Sequence, residues 1–275
     1  MKNISLGYSP CPNDTFIFYA LVHKKIRDDI EFSEILKDVE TLNRMASQKE
    51  LDVTKASFHA YGFLRDDYCL LHSGSALGRG CGPLLVARKP INRSELAGKK
   101  IAIPGKMTTA YLLLQLFAPE IKNIIEMPFD RIMNTVSLGI VDAGLIIHEG
   151  RFTYPSYGLM KIADLGEWWE NETHLPIPLG GIFAKREIGK KVVNEIDGLI
   201  RKSVEYAFSN PAITREYIRK YAQELDNDVI DQHITLYVNE NTLNIGDGIH
   251  AIKELLKKAE NLNLIPPSDK SIFID

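Results

Sequence analysis

The run Asp142-Ala143-Gly144-Leu145-Ile146-Ile147-His148-Glu149-Gly150-Arg151-Phe152-Thr153-Tyr154 passes from apolar to polar in a single step. Gly144 to Ile147 has the pattern of a strand buried on both faces of a parallel sheet. In open α/β sheets, ligands bind just beyond the carboxyl ends of strands, and His148 falls at that point. It would be held by rigid backbone and could face a cleft, where an imidazole offers acid–base chemistry near neutral pH. A histidine that only hydrogen-bonds its neighbours has the same local signature. The polar stretches elsewhere in the chain favour chemistry.

Ser9-Pro10-Cys11-Pro12-Asn13-Asp14-Thr15 follows a first strand, and its two prolines impose a fixed turn. Asn13, Asp14 or Thr15 can cap the next helix. A strand–turn–helix of this kind aims free N–H groups and a positive dipole end at a cleft. Cys11 beside that helix start is either a thiol of lowered pKa or a small buried filler. Ser57 lies in Lys55-Ala56-Ser57-Phe58-His59-Ala60, where helix capping would also account for it; His59 reads as structural. Gly74-Ser75-Ala76-Leu77-Gly78-Arg79-Gly80-Cys81-Gly82 has four glycines in nine residues. Their amides could form an anion nest, with Arg79 adding a planar fork; a flexible hairpin is the plain alternative. Thr108 and Thr109, at another helix start, can cap it or offer hydroxyls and amides to a carboxylate.

The elements that must position these groups alternate. Strands are predicted at Ile4–Tyr8, Ile30–Ile35, Leu51–Thr54 and Asp67–Ser73. Helices are predicted at Phe16–Lys25, at Val39–Lys49 behind Asp38, and up to Leu64. Leu84–Ala87 reads as a strand leading through Arg88-Lys89-Pro90 into a second unit. There, strands at Lys99–Ile103, Ile124–Met127 and Ala143–Ile147 alternate with helices at Ala110–Phe117 and Arg131–Leu138. Such βαβ spacing predicts parallel sheets with right-handed crossovers. The proline- and glycine-rich run from Asn171 to Gly181 suits a return hinge. Helices follow at Ile188–Phe208, Pro211–Gln223, Asp228–Val238 and Ile245–Asn261, then a surface strap from Leu264 to Asp275. The reading is α/β and bilobal, with residues 1–87 and 180–275 forming a larger discontinuous domain and 88–179 a smaller one. Closure would bring groups from both lobes onto one ligand and remove water.

The totals agree. At 275 residues, 45% hydrophobic and 25% charged, the chain can bury a real core, and its length suggests two domains. A net charge of −3 gives no global basic field for nucleic acid or anionic membrane. No apolar run approaches the ~20 residues of a membrane helix, and the N-terminus is too short and polar for a signal peptide, so a cytoplasmic location is expected. Three scattered cysteines suit neither a disulfide framework nor a four-ligand zinc site. Trp168 and Trp169 suit core or interface packing, and with the C-terminal helices could form a homodimer face.

Three stretches together, Ser9 to Phe16, His72 to Pro83 and Ile147 to Tyr154, resemble the 1,4-dihydroxy-6-naphthoate synthase family of the futalosine route to menaquinone. The likeness spans nearly the whole chain. It implies a fold like the type II periplasmic binding proteins, a cytoplasmic setting, and no metal or organic cofactor. The implied reaction is a lyase step converting cyclic dehypoxanthinyl futalosine, a small anionic molecule, to 1,4-dihydroxy-6-naphthoate. The histidine matching His148 is the family's catalytic base, which fits an imidazole of ordinary pKa about 6.5. Glu149, Arg151 or neighbouring backbone would orient the ring. The implied substrate carboxylate and sugar hydroxyls need donors. Ser57, Ser75, Thr108 and Thr109 are nominated, with the backbone from Gly78 through Arg79 and Gly80 to Gly82, and Asn13 or Asn43 behind them. Chorismate dehydratase, similar in fold and pathway, and a non-catalytic binding protein are the rival readings.

Overall fold

The computed structural model describes residues 2–26, 29–222 and 225–275. The first lobe opens with β1 (Lys2–Tyr8), α1 (Pro12–Val22), β2 (Ile30–Leu36), α2 (Val39–Ser47), β3 (Val53–Ser57), α3 (Phe58–Leu64), β4 (Tyr68–Leu70) and β5 (Ala76–Gly78). The second lobe holds β6 (Leu84–Ala87), β7 (Ile101–Ile103), α4 (Thr109–Phe117), β8 (Ile124–Glu126), α5 (Phe129–Ser137), β9 (Ala143–Ile146), α6 (Gly150–Thr153), β10 (Met160–Asp164) and α7 (Leu165–Thr173). The chain returns through β11 (Ile177–Lys185). It ends in α8 (Lys190–Ser209), α9 (Pro211–Tyr221), α10 (Asn227–Tyr237), α11 (Glu240–Leu243) and α12 (Ile249–Asn261). The expected end of the third-last long helix at Gln223 lies outside the described residues.

Each lobe is built on one sheet. The first has the order β2-β1-β3-β11-β4, with β5 also paired to β11; the second has the order β10-β6-β9-β7-β8. Both are mixed, which corrects the expectation of parallel sheets. β1 runs parallel to β2 and β3, but β11 is antiparallel to β3, β4 and β5. Likewise β7 is parallel to β8 and β9, while β6 is antiparallel to β9 and β10. Parallel neighbours require a crossover within one sheet. β11 arrives from the other lobe and is free of that constraint. The domain edges shift accordingly: β6 pairs into the second sheet, so the first crossing precedes Leu84 rather than falling at Arg88 to Pro90.

β11 is the strand that the proline and glycine content concealed. Pro178 sits where the pairing with β5 shifts register, a position that does not need its missing N–H. A Cβ on Gly180 would stand 2.7 Å from the Ala56 carbonyl oxygen, and one on Gly181 would stand 2.5 Å from Leu70 Cδ1. These glycines let β11 lie tightly against β3 and β4. α1 begins at Pro12, four residues before the expected Phe16, because Cys11 is extended and proline suits the first helical position. Thr15 is therefore inside the first turn, its hydroxyl bonding back to the Cys11 carbonyl at 2.9 Å.

The C-terminal strap is pinned to the first lobe. The Leu70 N–H and the Tyr61 hydroxyl both donate to the Ile272 carbonyl, at 2.8 and 3.0 Å. The guanidinium groups of Arg65 and Arg186 hold the carbonyls of Pro266 and Ser271. Trp169 is fully buried, with Nε1 donating to the Pro176 carbonyl at 3.1 Å. That removes Trp169 from any dimer face; Trp168 packs edge-on against Phe117.

Candidate active site

A cavity of about 90 Å³, open to solvent on one side, lies between the two sheets. Ser9 reaches it from the β1–α1 turn, Asn13 and Asp14 from the first turn of α1, Lys55 and Ser57 from β3, Thr108 and Thr109 from the start of α4, and Tyr237 from α10. His148 lines it from the end of β9. The sheets thus present their loop ends to one space, and the groups come from both lobes.

His148 stands two residues beyond β9 with φ +54°, in the left-handed region. A residue with a side chain adopts that conformation at a cost of about 1–2 kcal/mol, which the surrounding packing must offset. Its ring lies edge-to-face with Phe129, at 5.2 Å between centroids, and parallel to His233 at 6.2 Å. Among the described residues neither ring nitrogen has a hydrogen-bond partner. Burial pushes the pKa of His148 below the usual 6.5, against the pull of the Glu149 and Asp14 carboxylates, while Lys55 lowers it further. The ring is therefore neutral at neutral pH, the state in which it can take a proton.

Ser57 is aligned from behind by Asn43. The Asn43 amide donates to the Ser57 hydroxyl at 3.2 Å, and its oxygen accepts from the Ser57 N–H at 2.9 Å. The Ser57 hydroxyl makes no cap bond to α3, so its proton can point to a ligand. Asn43 is fully buried and does not itself line the cavity.

Thr108 and Thr109 line the wall, but their hydroxyl protons are engaged. Thr108 donates to the Gly105 carbonyl at 2.7 Å and accepts from the Tyr111 N–H at 3.2 Å. Thr109 donates to the Leu179 carbonyl at 2.5 Å and accepts from the His59 N–H at 3.3 Å. What this corner offers is the start of the nine-residue α4, whose first N–H groups have no partner within the helix. His59 supports the corner, its Nδ1 lying 3.2 Å from the Thr108 carbonyl.

The remaining nominated residues separate. Asn13 lines the cavity, yet its amide is engaged by Asp14 at 2.8 Å and its oxygen by His233 Nε2 at 3.0 Å. Ser75 is fully buried behind the wall, with its hydroxyl unpartnered. Gly78, Arg79 and Gly80 do not reach the cavity. β5 pairs with β11 and carries the chain outward, so Arg79 is exposed and bonds the His174 carbonyl at 2.9 Å. The Gly80 N–H is already held by Glu170 at 2.8 Å. Of the glycine-rich loop, Ala76 and Cys81 line the cavity, while Gly78, Arg79 and Gly80 stand away from it. Arg151, expected to help orient the base, instead donates to the Gly82 carbonyl at 2.7 Å and pairs with Asp164 at 2.6 Å. Cys11 is buried, and burial raises its thiol pKa rather than lowering it, with Glu149 adding to the rise.

Ser9, Asp14, Lys55, His233 and Tyr237 were not nominated from sequence. Lys55 and Asp14 form a buried ion pair at 3.3 Å. A lysine in the middle of the fully buried β3 is a readable signal for it. His233 is fully buried on α10 and has no local signal, since its partners lie far away in sequence.

A family model described as menaquinone biosynthesis matches residues 4–261. The 1,4-dihydroxy-6-naphthoate synthase of Thermus thermophilus is 48% identical over 275 residues, spanning all of both chains. That of Streptomyces coelicolor is 45% identical over 269 residues, covering 96% of this chain and 95% of its own. Among solved structures, protein AF1704 from Archaeoglobus fulgidus has a TM-score of 0.91 at 40% identity, covering 96% of this chain and 98% of that one. The alkanesulfonate-binding protein SsuA from Xanthomonas axonopodis has a TM-score of 0.72 at 13% identity, covering 97% and 95%. This last likeness shows the fold, that of the periplasmic binding proteins.

Proposed function

Because the chain belongs to the menaquinone-biosynthesis family, we propose that it is a lyase that converts cyclic dehypoxanthinyl futalosine to 1,4-dihydroxy-6-naphthoate, with His148 as general base. The observation that carries this reading is the position of His148, on the wall of a cavity fed by both lobes and, among the described residues, without a hydrogen-bond partner; burial lowers its pKa and so favours the neutral ring. Removing a proton beside a carbonyl-type centre lets the sugar-derived portion leave, and formation of the aromatic ring drives the step. A base of this kind contributes typically ~10²–10⁴-fold. The α4 N-terminus and the Ser57 hydroxyl suit the substrate carboxylate: beyond the Tyr111 N–H that Thr108 accepts, the first N–H groups of the helix have no acceptor within it, and among the described residues the Ser57 hydroxyl accepts from Asn43 without capping α3.

The test is to incubate the protein separately with cyclic dehypoxanthinyl futalosine and with chorismate, following naphthoate absorbance and fluorescence. Product from the first alone supports the reading. Dehydration of chorismate, or tight retention of an unchanged ligand, overturns it.

A further inference from the structure

The cavity holds one charged cluster that the base chemistry above does not use. Lys55 is the middle residue of β3, and its side chain is only 7% exposed. Its ammonium donates to the Gly74 carbonyl at 2.8 Å and lies 3.3 Å from Asp14 Oδ1. An ammonium has three donors, and among the described residues the third has no acceptor. Asp14 does not fully neutralise this cation at close range. Its carboxylate also accepts the Ser9 N–H at 3.2 Å and the Asn13 amide at 2.8 Å, so its charge is shared among three donors.

A buried ion pair is weak evidence for stability, since desolvation offsets most of the attraction. The plain structural role therefore does not account for a lysine on a cavity wall. Proton abstraction beside a carbonyl leaves the C–H electron pair on the carbonyl oxygen as an enolate. His148 takes the proton as N–H, and the new negative charge needs a donor fixed before the reaction begins. The lobe that carries His148 supplies the base. The opposite lobe supplies Lys55, on the wall of the same cavity.

We propose that Lys55 is the second catalytic group of this site, its third N–H receiving the enolate oxygen formed as His148 removes the proton, with Asp14 as the positioning residue that holds the ammonium in place. The inference rests on the reading of the reaction given above.

The experiment compares wild type with Lys55→Met, which keeps length and removes charge, using cyclic dehypoxanthinyl futalosine. Removing one oxyanion donor is expected to lower kcat by about 10²–10³-fold, with KM changed far less. Lys55→Ala should regain activity saturably with added ethylammonium, and not with propanol, a recovery that a merely structural role would not produce. Should the single variants fail to fold, Asp14→Asn/Lys55→Met leaves no buried charge unpaired and is expected to show the same loss in kcat. A folded Lys55→Met enzyme, or folded double variant, with wild-type kcat overturns the proposal, as does an Ala variant that ethylammonium does not rescue. Wild type that makes no naphthoate overturns the reading of function, and this proposal with it. Wild type that makes naphthoate alongside an equally active Lys55→Met overturns this proposal alone.

Discussion

The imidazole of His233 lies parallel to that of His148, the ring planes 11° apart and the centroids 6.2 Å apart. The two rings come from different lobes: His233 from α10, which packs on α1, and His148 from the end of β9. Burial holds the pKa of His233 well below 6.5, and a charge on His148 lowers it further. With His233 kept neutral and hydrogen-bonded to Asn13, the proposed role of base falls to His148 rather than to His233.

That arrangement has a signature in pH dependence. In the proposed mechanism His148 acts as a base only when neutral, and burial lowers its pKa. The value of kcat/KM should therefore rise with pH and level off with a midpoint below the ordinary ~6.5. His148→Gln should cut kcat by about 10²–10⁴-fold and abolish this acidic limb. A pH–rate profile checks both, and a midpoint above the ordinary value would remove His148 as the base.

His59 should make the fold sensitive to acid. Burial lowers its pKa to about 4, so the unfolded chain binds a proton before the folded one does. Stability is fully present above ~6.5 and falls as the pH drops towards the folded value, by roughly 3 kcal/mol in total. Urea unfolding at neutral and at mildly acidic pH measures the loss. His59→Asn, which keeps a donor for the Thr108 carbonyl, should flatten the dependence.

Ser57 and Thr108 should respond differently. Ser57→Ala removes a free hydroxyl proton from the wall and should raise KM about tenfold or more, the loss of one hydrogen bond to a charged group. Thr108→Val removes a helix cap and should reduce unfolding free energy by about 1 kcal/mol, with a smaller change in KM. Steady-state kinetics and thermal melts on the two variants separate the roles.

Gly105 packs beside one of the contacts between the lobes. The Met107 N–H donates to both carboxylate oxygens of Glu40 on α2, each at 3.2 Å. A Cβ on Gly105 would stand 2.3 Å from the Glu40 carboxyl carbon. Gly105→Ala should push that carboxylate away, weaken lobe closure and raise KM several-fold. Small-angle scattering on the ligand-bound variant should show a more open shape, and an unchanged KM would count against the contact as a closing device.

Local pattern was enough for much of this protein. The short apolar run before His148 places the histidine at a strand end. The capping residues Asp38 and Thr108 each accept a hydrogen bond from the first turn they precede. Both are statements about neighbours in the chain, where backbone geometry acts directly. Sequence also nominated Asn43, Ser57 and Thr109 as polar groups for a ligand, but not which of their hydrogens were free. Thr109 loses its donor to Leu179, seventy residues away, while Ser57 keeps one because Asn43 donates to it.

Tertiary structure alone decided the rest. β11 was concealed because Pro178 and two glycines argue against a strand until a bulge and two close neighbours explain them. Gly80 looked like an anion binder until Glu170, distant in sequence, took its N–H. His233 reaches Asn13 across 220 positions, and no periodicity carries that information. A residue's intrinsic chemistry is written in the chain; whether its donors are free, its charge paired or its ring buried depends on partners that only folding brings within a few ångströms.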